Sequence, residues 1–266
     1  MKNHYIFGTY GDNVYYLCLM KMLGGGNLFV KLNYLDYHCT HVIGPPYSAG
    51  LGLTGKLKQY EYDFMAPFLE SQDYIHNVAV WNNEPLDYNI DGAWEYHLIK
   101  GWQGNIPETY ALTLGMNILD PDIQKKLWYE PWLTPVEPIR IPGKPVIVNR
   151  TPRHLFGTHG SGWNRFIANK LSDYGVFVGH ENEHADFEQK FGISIQHHKC
   201  SDMLEVARLI QGAEMFIGNQ SMALSLAIGF GKTYFCEIRG DWQHTRTPHG
   251  GYGDVWFPRT NGHYFT

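Results

Sequence analysis

Ser201 to Glu237 reads SDMLEVARLIQGAEMFIGNQSMALSLAIGFGKTYFCE, and the way its apolar residues recur decides the fold. Met203, Leu204, Ala207, Leu209 and Ile210 recur at helical spacing, with Ser201 and Asp202 ahead of them as N-cap residues and Gly212 as the stop. Glu214 to Gly218 (EMFIG) is too short and too apolar for anything but a buried strand. The polar residues Asn219, Gln220 and Ser221 follow, then an apolar helix from Met222 to Phe230 and a strand from Thr233 to Glu237. Helix, strand, polar turn, helix, strand is half of a doubly wound α/β unit, in which ligands sit outside the carboxyl ends of the strands. A helix that starts there presents free N–H groups and a positive dipole end, which suit phosphate. Asn219, Gln220 and Ser221 thus have two readings. One is a helix cap, for which Ser221 or Asn219 suffices; the other is a phosphate cradle, favoured by three hydrogen-bonding side chains in a row.

At 266 residues and 44% hydrophobic content the chain can build one large core or two small ones. The net charge is −5 with acids and bases interspersed, so obligatory binding to bulk nucleic acid is not expected. Cys18, Cys39, Cys200 and Cys236 form no CxxC pair, and neither a zinc site nor a disulfide framework is expected. MKNHYIFG leads directly into a strand and no run of ~18 apolar residues follows. The expectation is a soluble, cytoplasmic protein with no transmembrane segment.

His4 to Phe7 is the first strand, followed by Gly8-Thr9-Tyr10-Gly11-Asp12 and a helix from Val14 to Leu23 that Gly24, Gly25 and Gly26 stop. Asp12 reads either as a helix cap or as a carboxylate at the mouth of the sheet, available as a general base. The glycines lack GxGxxG spacing, so the dinucleotide fingerprint is absent. Leu28 to Leu32 and Tyr74 to Val80 read as strands, and the glycine-rich Val42 to Gly55 as a loop. Asp120-Pro121-Asp122 spells DxD, a metal–diphosphate string, but Asp120 and Pro121 stand as N-cap and N1 of a helix from Ile123 to Tyr129. Glu130 to Pro145 holds five prolines and little periodicity, a linker that divides the chain into residues 1–138 and 139–266.

The second half opens on the strand Pro145 to Val148, which ends in Asn149-Arg150-Thr151-Pro152-Arg153. Arg150, Thr151 and Arg153 make an anion clamp at a strand's carboxyl end, or else are ordinary surface residues. After the strand Gly175 to Gly179 comes His180-Glu181-Asn182-Glu183-His184, literally HExxH. Zinc binding by that motif needs both histidines on one face of a continuous helix, and here the helix begins only near Asn182. His180 or Glu181 at this strand end instead suits a nucleotide base or ribose, as does Glu237 at the end of the last strand.

These stretches together resemble the ADP-heptose:lipopolysaccharide heptosyltransferase-like glycosyltransferases, a family with two facing Rossmann-like domains, the GT-B architecture. The carriers are GDNVYYLCLMKML (residues 11–23), VARLIQGAEMFIGNQSMALSLAIGFGK (206–232), and the order strand-NRTPR, strand-VFVG that precedes the latter. The resemblance implies a short GT-B-like α/β chain with an acceptor domain (1–138) and a nucleotide-sugar domain (139–266) whose last residues can pack back on the first domain. It implies transfer of a sugar from a nucleoside diphosphate to an acceptor hydroxyl, with no metal or cofactor and Asp12 as general base. Gly11 and Asn13 would face the acceptor. Arg150, Thr151, Arg153, His180, Glu181, Ser201, Asn219, Gln220, Ser221 and Glu237 would hold the donor. The family's diphosphate turn reads Asp-Thr-Gly with a His three residues later; here it reads Asn219-Gln220-Ser221, with Leu224 in the His place. The competing readings are a degenerate binding protein, a nucleotide-sugar epimerase or hydrolase, and a transferase acting on modified DNA bases.

Overall fold

The computed structural model describes residues 1–34, 57–93, 104–151 and 161–237 and the strand 261–265. The first half contributes β1 (Asn3–Ile6), α1 (Tyr10–Met22), β2 (Gly26–Val30), α2 (Gln59–Glu70), β3 (Ile75–Val80), α3 (Ile106–Thr113) and α4 (Pro121–Trp128). The second contributes β4 (Val146–Asn149), α5 (Ser161–Ala168), α6 (Leu171–Tyr174), β5 (Gly175–Val178), α7 (Glu181–Phe191), β6 (Gln196–His198), α8 (Met203–Gly212), β7 (Met215–Asn219), α9 (Met222–Gly229), β8 (Thr233–Glu237) and β9 (Asn261–Phe265). Each half has its own parallel sheet. The first runs β1-β2-β3 and the second β6-β5-β4-β7-β8-β9. Taking β4 as the first strand of its unit, the second order is 3-2-1-4-5-6, the doubly wound dinucleotide-fold order.

Local chemistry explains the deciding stretch. Asp202 is the N-cap of α8, its side chain accepting from Glu205 N at 2.8 Å, and Met203, Val206, Ala207, Leu209 and Ile210 form the buried face. The linker crosses the end of this helix, where Ile139 N donates to Arg208 O at 2.9 Å. A Cβ at Gly212 would lie 2.1 Å from Ile139 O, so only glycine allows that crossing. Gly218 in β7 is bound the same way, since a Cβ there would meet Asn149 O of β4 at 2.3 Å. Asp120 is the N-cap of α4, accepting from Asp122 N and Ile123 N, with Pro121 opening the helix; the DxD string is a cap.

α1 and α9 are buried nearly all round: Val14 to Met20 in α1 and Ala223 to Gly229 in α9 are inaccessible. A helix with no polar face must be covered on every side, and these two cover each other. The proline-rich linker joins them. Trp132 Nε1 donates to Val14 O at 3.0 Å, and the backbone N–H groups of Trp132 and Leu133 both donate to Gly229 O at 3.0 Å. One apolar cluster therefore runs from β1 and α1 through Trp132 to α8, α9 and β7, and a second lies between Trp163, Phe177, Phe187 and Ile217 on the other face of the second sheet.

His4 is wholly buried in β1 with Nδ1 3.0 Å from Tyr16 Oη, and burial lowers its pKa to about 4. An unfolded histidine titrates near 6.5, so the neutral ring supports the fold above that pH. Between pH 6.5 and 4 the unfolded chain takes up a proton that the native state refuses, and stability falls by about 3 kcal/mol. Urea midpoints at pH 7 and 4.5 should show this loss, and His4→Phe should flatten it. An equally steep loss in the variant would assign the acid sensitivity to other groups.

Candidate functional site

In the second sheet the chain leaves β4 toward β5 on one side and β7 toward β8 on the other, so the order reverses between β4 and β7. The crevice at the carboxyl ends of these two strands is where such sheets bind ligands. Asn149 to Thr151 and Asn219 to Ser221 line it. Asn219 is fully buried, and its amide grips the Thr151 backbone: Oδ1 accepts from Thr151 N at 2.9 Å and Nδ2 donates to Thr151 O at 2.7 Å. It thereby extends the ladder between the two strands by one residue instead of reaching outward to a phosphate. Ser221 is the N-cap of α9, its Oγ accepting from Leu224 N at 3.3 Å. Gln220 stands between them, partly exposed.

α1 begins at the same place. A Cβ built on Gly11 would lie 3.7 Å from Met222 Cα, Met222 N and Ser221 C, so the first turns of α1 and α9 touch. Two positive dipole ends and two sets of leading N–H groups, which no carbonyl of their own helix can accept, converge beside the switch point. Thr9 is the N-cap of α1, and Asp12 is its third helical residue, not the cap. Thr9 Oγ1 donates to Asp12 Oδ2 at 2.6 Å, and Tyr110 Oη donates to Asp12 O at 3.3 Å. The Asp12 carboxylate remains partly exposed. Asn13 is buried, with an Nδ2 donor that has no hydrogen-bond partner among the described residues. Of the two residues expected on the acceptor side, Gly11 packs on α9 and Asn13 is buried in the core.

Arg150 and Glu237, expected as separate donor ligands, are a buried ion pair. Arg150 Nε lies 2.7 Å from Glu237 Oε2 and Nη2 3.0 Å from Oε1, with each residue under 3% exposed. Trp163 Nε1 donates to the same Oε2 at 2.8 Å, and the guanidinium stacks 5.4 Å from the Phe191 ring centre. Arg150 Nη1 stands 4.0 Å from Asp186 Oδ2, beyond a hydrogen bond. The pair ties the end of β4 to the end of β8 and takes up Nε and Nη2, while Nη1 has no hydrogen-bond partner among the described residues. Arg153 lies outside the described residues.

The remaining candidates lie further along the edge toward β6. His180 is the exposed N-cap of α7, its N–H donating to Glu183 Oε2 at 2.9 Å, and Glu181 pairs with Lys199 at 2.9 Å. His184 Nε2 sits 2.8 Å from Ile195 O, and its ring stacks on His197 at 4.6 Å. Its nitrogen is therefore turned to a backbone carbonyl, and the HExxH string does not form a zinc-protease pair. Ser201 donates from N and Oγ to Glu205 Oε2, away from the switch point. Tyr110 and Trp163 carry no sequence signal of their own, because each acts through a residue far along the chain, whereas Thr9 stands three residues before the Asp12 carboxylate it bonds.

The chain is similar in structure to TibC from enterotoxigenic E. coli H10407, an iron-containing dodecameric glycosyltransferase, with a TM-score of 0.51 over 94% of this chain. The chain shares this glycosyltransferase's fold. Identity with TibC is 15%, and the match spans 63% of TibC's own length. The glycosyl transferase family 9 protein of Veillonella parvula matches 99% of this chain and 84% of its own, at 9% identity and a TM-score of 0.49. The E. coli ADP-heptose LPS heptosyltransferase II matches 100% and 90% at 11% identity and a TM-score of 0.46. No family model and no curated protein sequence matches the chain. Among the described residues no helix of this glycosyltransferase fold is long and apolar enough to cross a membrane.

Proposed function

We propose that the protein is a glycosyltransferase that moves a sugar from a nucleoside-diphosphate sugar to an acceptor hydroxyl in the cytoplasm. The observation that carries this reading is the meeting of the α1 and α9 N-termini at the β4–β7 switch point, with the Asp12 carboxylate in the first turn of α1. Asp12 takes the acceptor proton as the acceptor oxygen bonds to the anomeric carbon. The bond from that carbon to the phosphate oxygen breaks, and its electron pair leaves on the nucleoside diphosphate. The leading N–H groups of the two helices and the Ser221 hydroxyl meet the charge that develops there. Thr9 orients the carboxylate. Arg150 and Glu237 act as a brace under the crevice, and no metal or cofactor enters the transfer step.

Asn219 favours a second reading, a nucleotide-binding protein without turnover, because its amide is committed to Thr151 where the resembled family has an acid. Thermal melts with nucleoside mono- and diphosphates and their sugars test the site. A diphosphate at ~100 times its dissociation constant adds about 2.7 kcal/mol, which for a chain of this size raises the midpoint by about 5–10 °C. A shift with one diphosphate, followed by label transfer to a hydroxyl acceptor, is the result expected. A shift without transfer would favour the second reading, and a flat screen would remove both.

A further inference from the structure

We propose that His198, Cys200 and Glu205 form a binding site for one divalent transition-metal ion of the zinc class. His198 ends β6, Cys200 follows in the turn, and Glu205 stands in the first turn of α8. His198 Nε2, Cys200 Sγ and a Glu205 carboxylate oxygen all lie within 4.8 Å of one another, and the His198–Glu205 pair is at 2.9 Å. Ligands 2.0–2.3 Å from a tetrahedral ion are about 3.3–3.8 Å apart, so the thiol would close by at most about 1 Å and the His198–Glu205 pair would open by about 0.4 Å to admit the ion.

The surroundings suit it. Glu205 Oε2 is held by Ser201 N at 2.7 Å and Ser201 Oγ at 2.8 Å, which fixes the carboxylate and leaves Oε1 toward the histidine. Metal binding would displace the thiol proton of Cys200. His198 and Glu205 are each partly exposed, which gives an ion access. A mixed imidazole, thiolate and carboxylate set selects zinc or cobalt over magnesium and calcium. Three protein ligands leave a fourth position for water. The site sits on the edge strand, separated from the β4–β7 crevice by β5, and is independent of sugar transfer.

The test uses tag-free protein dialysed against chelator and titrated with Co²⁺. One equivalent should bind with a thiolate-to-cobalt charge-transfer band in the near ultraviolet. One equivalent of Zn²⁺ should bleach that band, and excess Mg²⁺ should not. Cys200→Ser should lose the band and bind zinc at least about tenfold more weakly in competition with a chromophoric chelator. Its nucleotide-dependent melting shift should be unchanged, which separates this site from the proposed donor site. X-ray absorption of the zinc-loaded wild type, which needs no variant, should show one sulfur among nitrogen and oxygen neighbours. Lack of stoichiometric binding, a band that survives Cys200→Ser, or a zinc spectrum without sulfur would overturn the proposal.

Discussion

Glu237→Ala is expected to lower folding stability by about 3–5 kcal/mol, because it strands a buried guanidinium. Arg150 is only 2% exposed, and Glu237 supplies both of its close carboxylate contacts. The same substitution removes the acceptor of Trp163 Nε1 in the centre of the second apolar cluster. Urea unfolding at neutral pH measures the loss. The double variant Arg150→Met/Glu237→Leu should recover most of it, since removing both charges leaves no buried ion uncompensated. A single Glu237→Ala variant within 1 kcal/mol of wild type, by the scale of exposed pairs, would mean that water reaches this pair in solution.

Asp12→Asn is expected to lower turnover by about 10²- to 10⁴-fold, the usual contribution of a positioned general base, or about 3–5 kcal/mol of barrier. Nucleoside diphosphate binding should be unchanged, since in the proposed site the phosphates rest on backbone N–H groups and not on this carboxylate. Thr9→Val removes the hydrogen bond that orients the carboxylate and should cost less, about tenfold. Single-turnover transfer with the sugar nucleotide found by melting resolves the two effects. Unaltered turnover in Asp12→Asn would remove it as the base.

The second sheet is legible in the sequence because its strands are short apolar runs bounded by glycine or proline, and α8 shows a clean amphipathic period. Thr233 to Glu237 lies where it is expected, and the strand ending in Asn149 shifts by one residue. The three-residue β6, with its two histidines, has no apolar run to mark it. Side-chain roles are harder to read. Arg150 and Glu237 are 87 residues apart, and each alone looks like a free charge aimed at a ligand. Asn219 and His184 bond to backbone atoms of Thr151 and Ile195, partners that no residue type announces. Asp12 reads as a cap from its neighbours alone, whereas the helix begins one residue earlier than Gly11 and makes it the third position. The contact between α1 and α9 is invisible to periodicity, since a helix apolar on every side gives no direction.

That contact changes what kind of object the chain is. Two sheets and a proline-rich connector suggest a pair of bodies that could swing apart or be expressed separately. With α1 and α9 sheathing one another and Trp132 bonded to the first helix by its ring and to the second by its backbone, parting them would bare both helices to water. Calorimetry should accordingly record one endotherm for the intact chain, and a fragment of residues 139–266 should aggregate with its α9 face uncovered. Ligand entry then cannot depend on a hinge between the halves without breaking the shared interior, so the motion that admits substrate has to be smaller and more local than a domain swing.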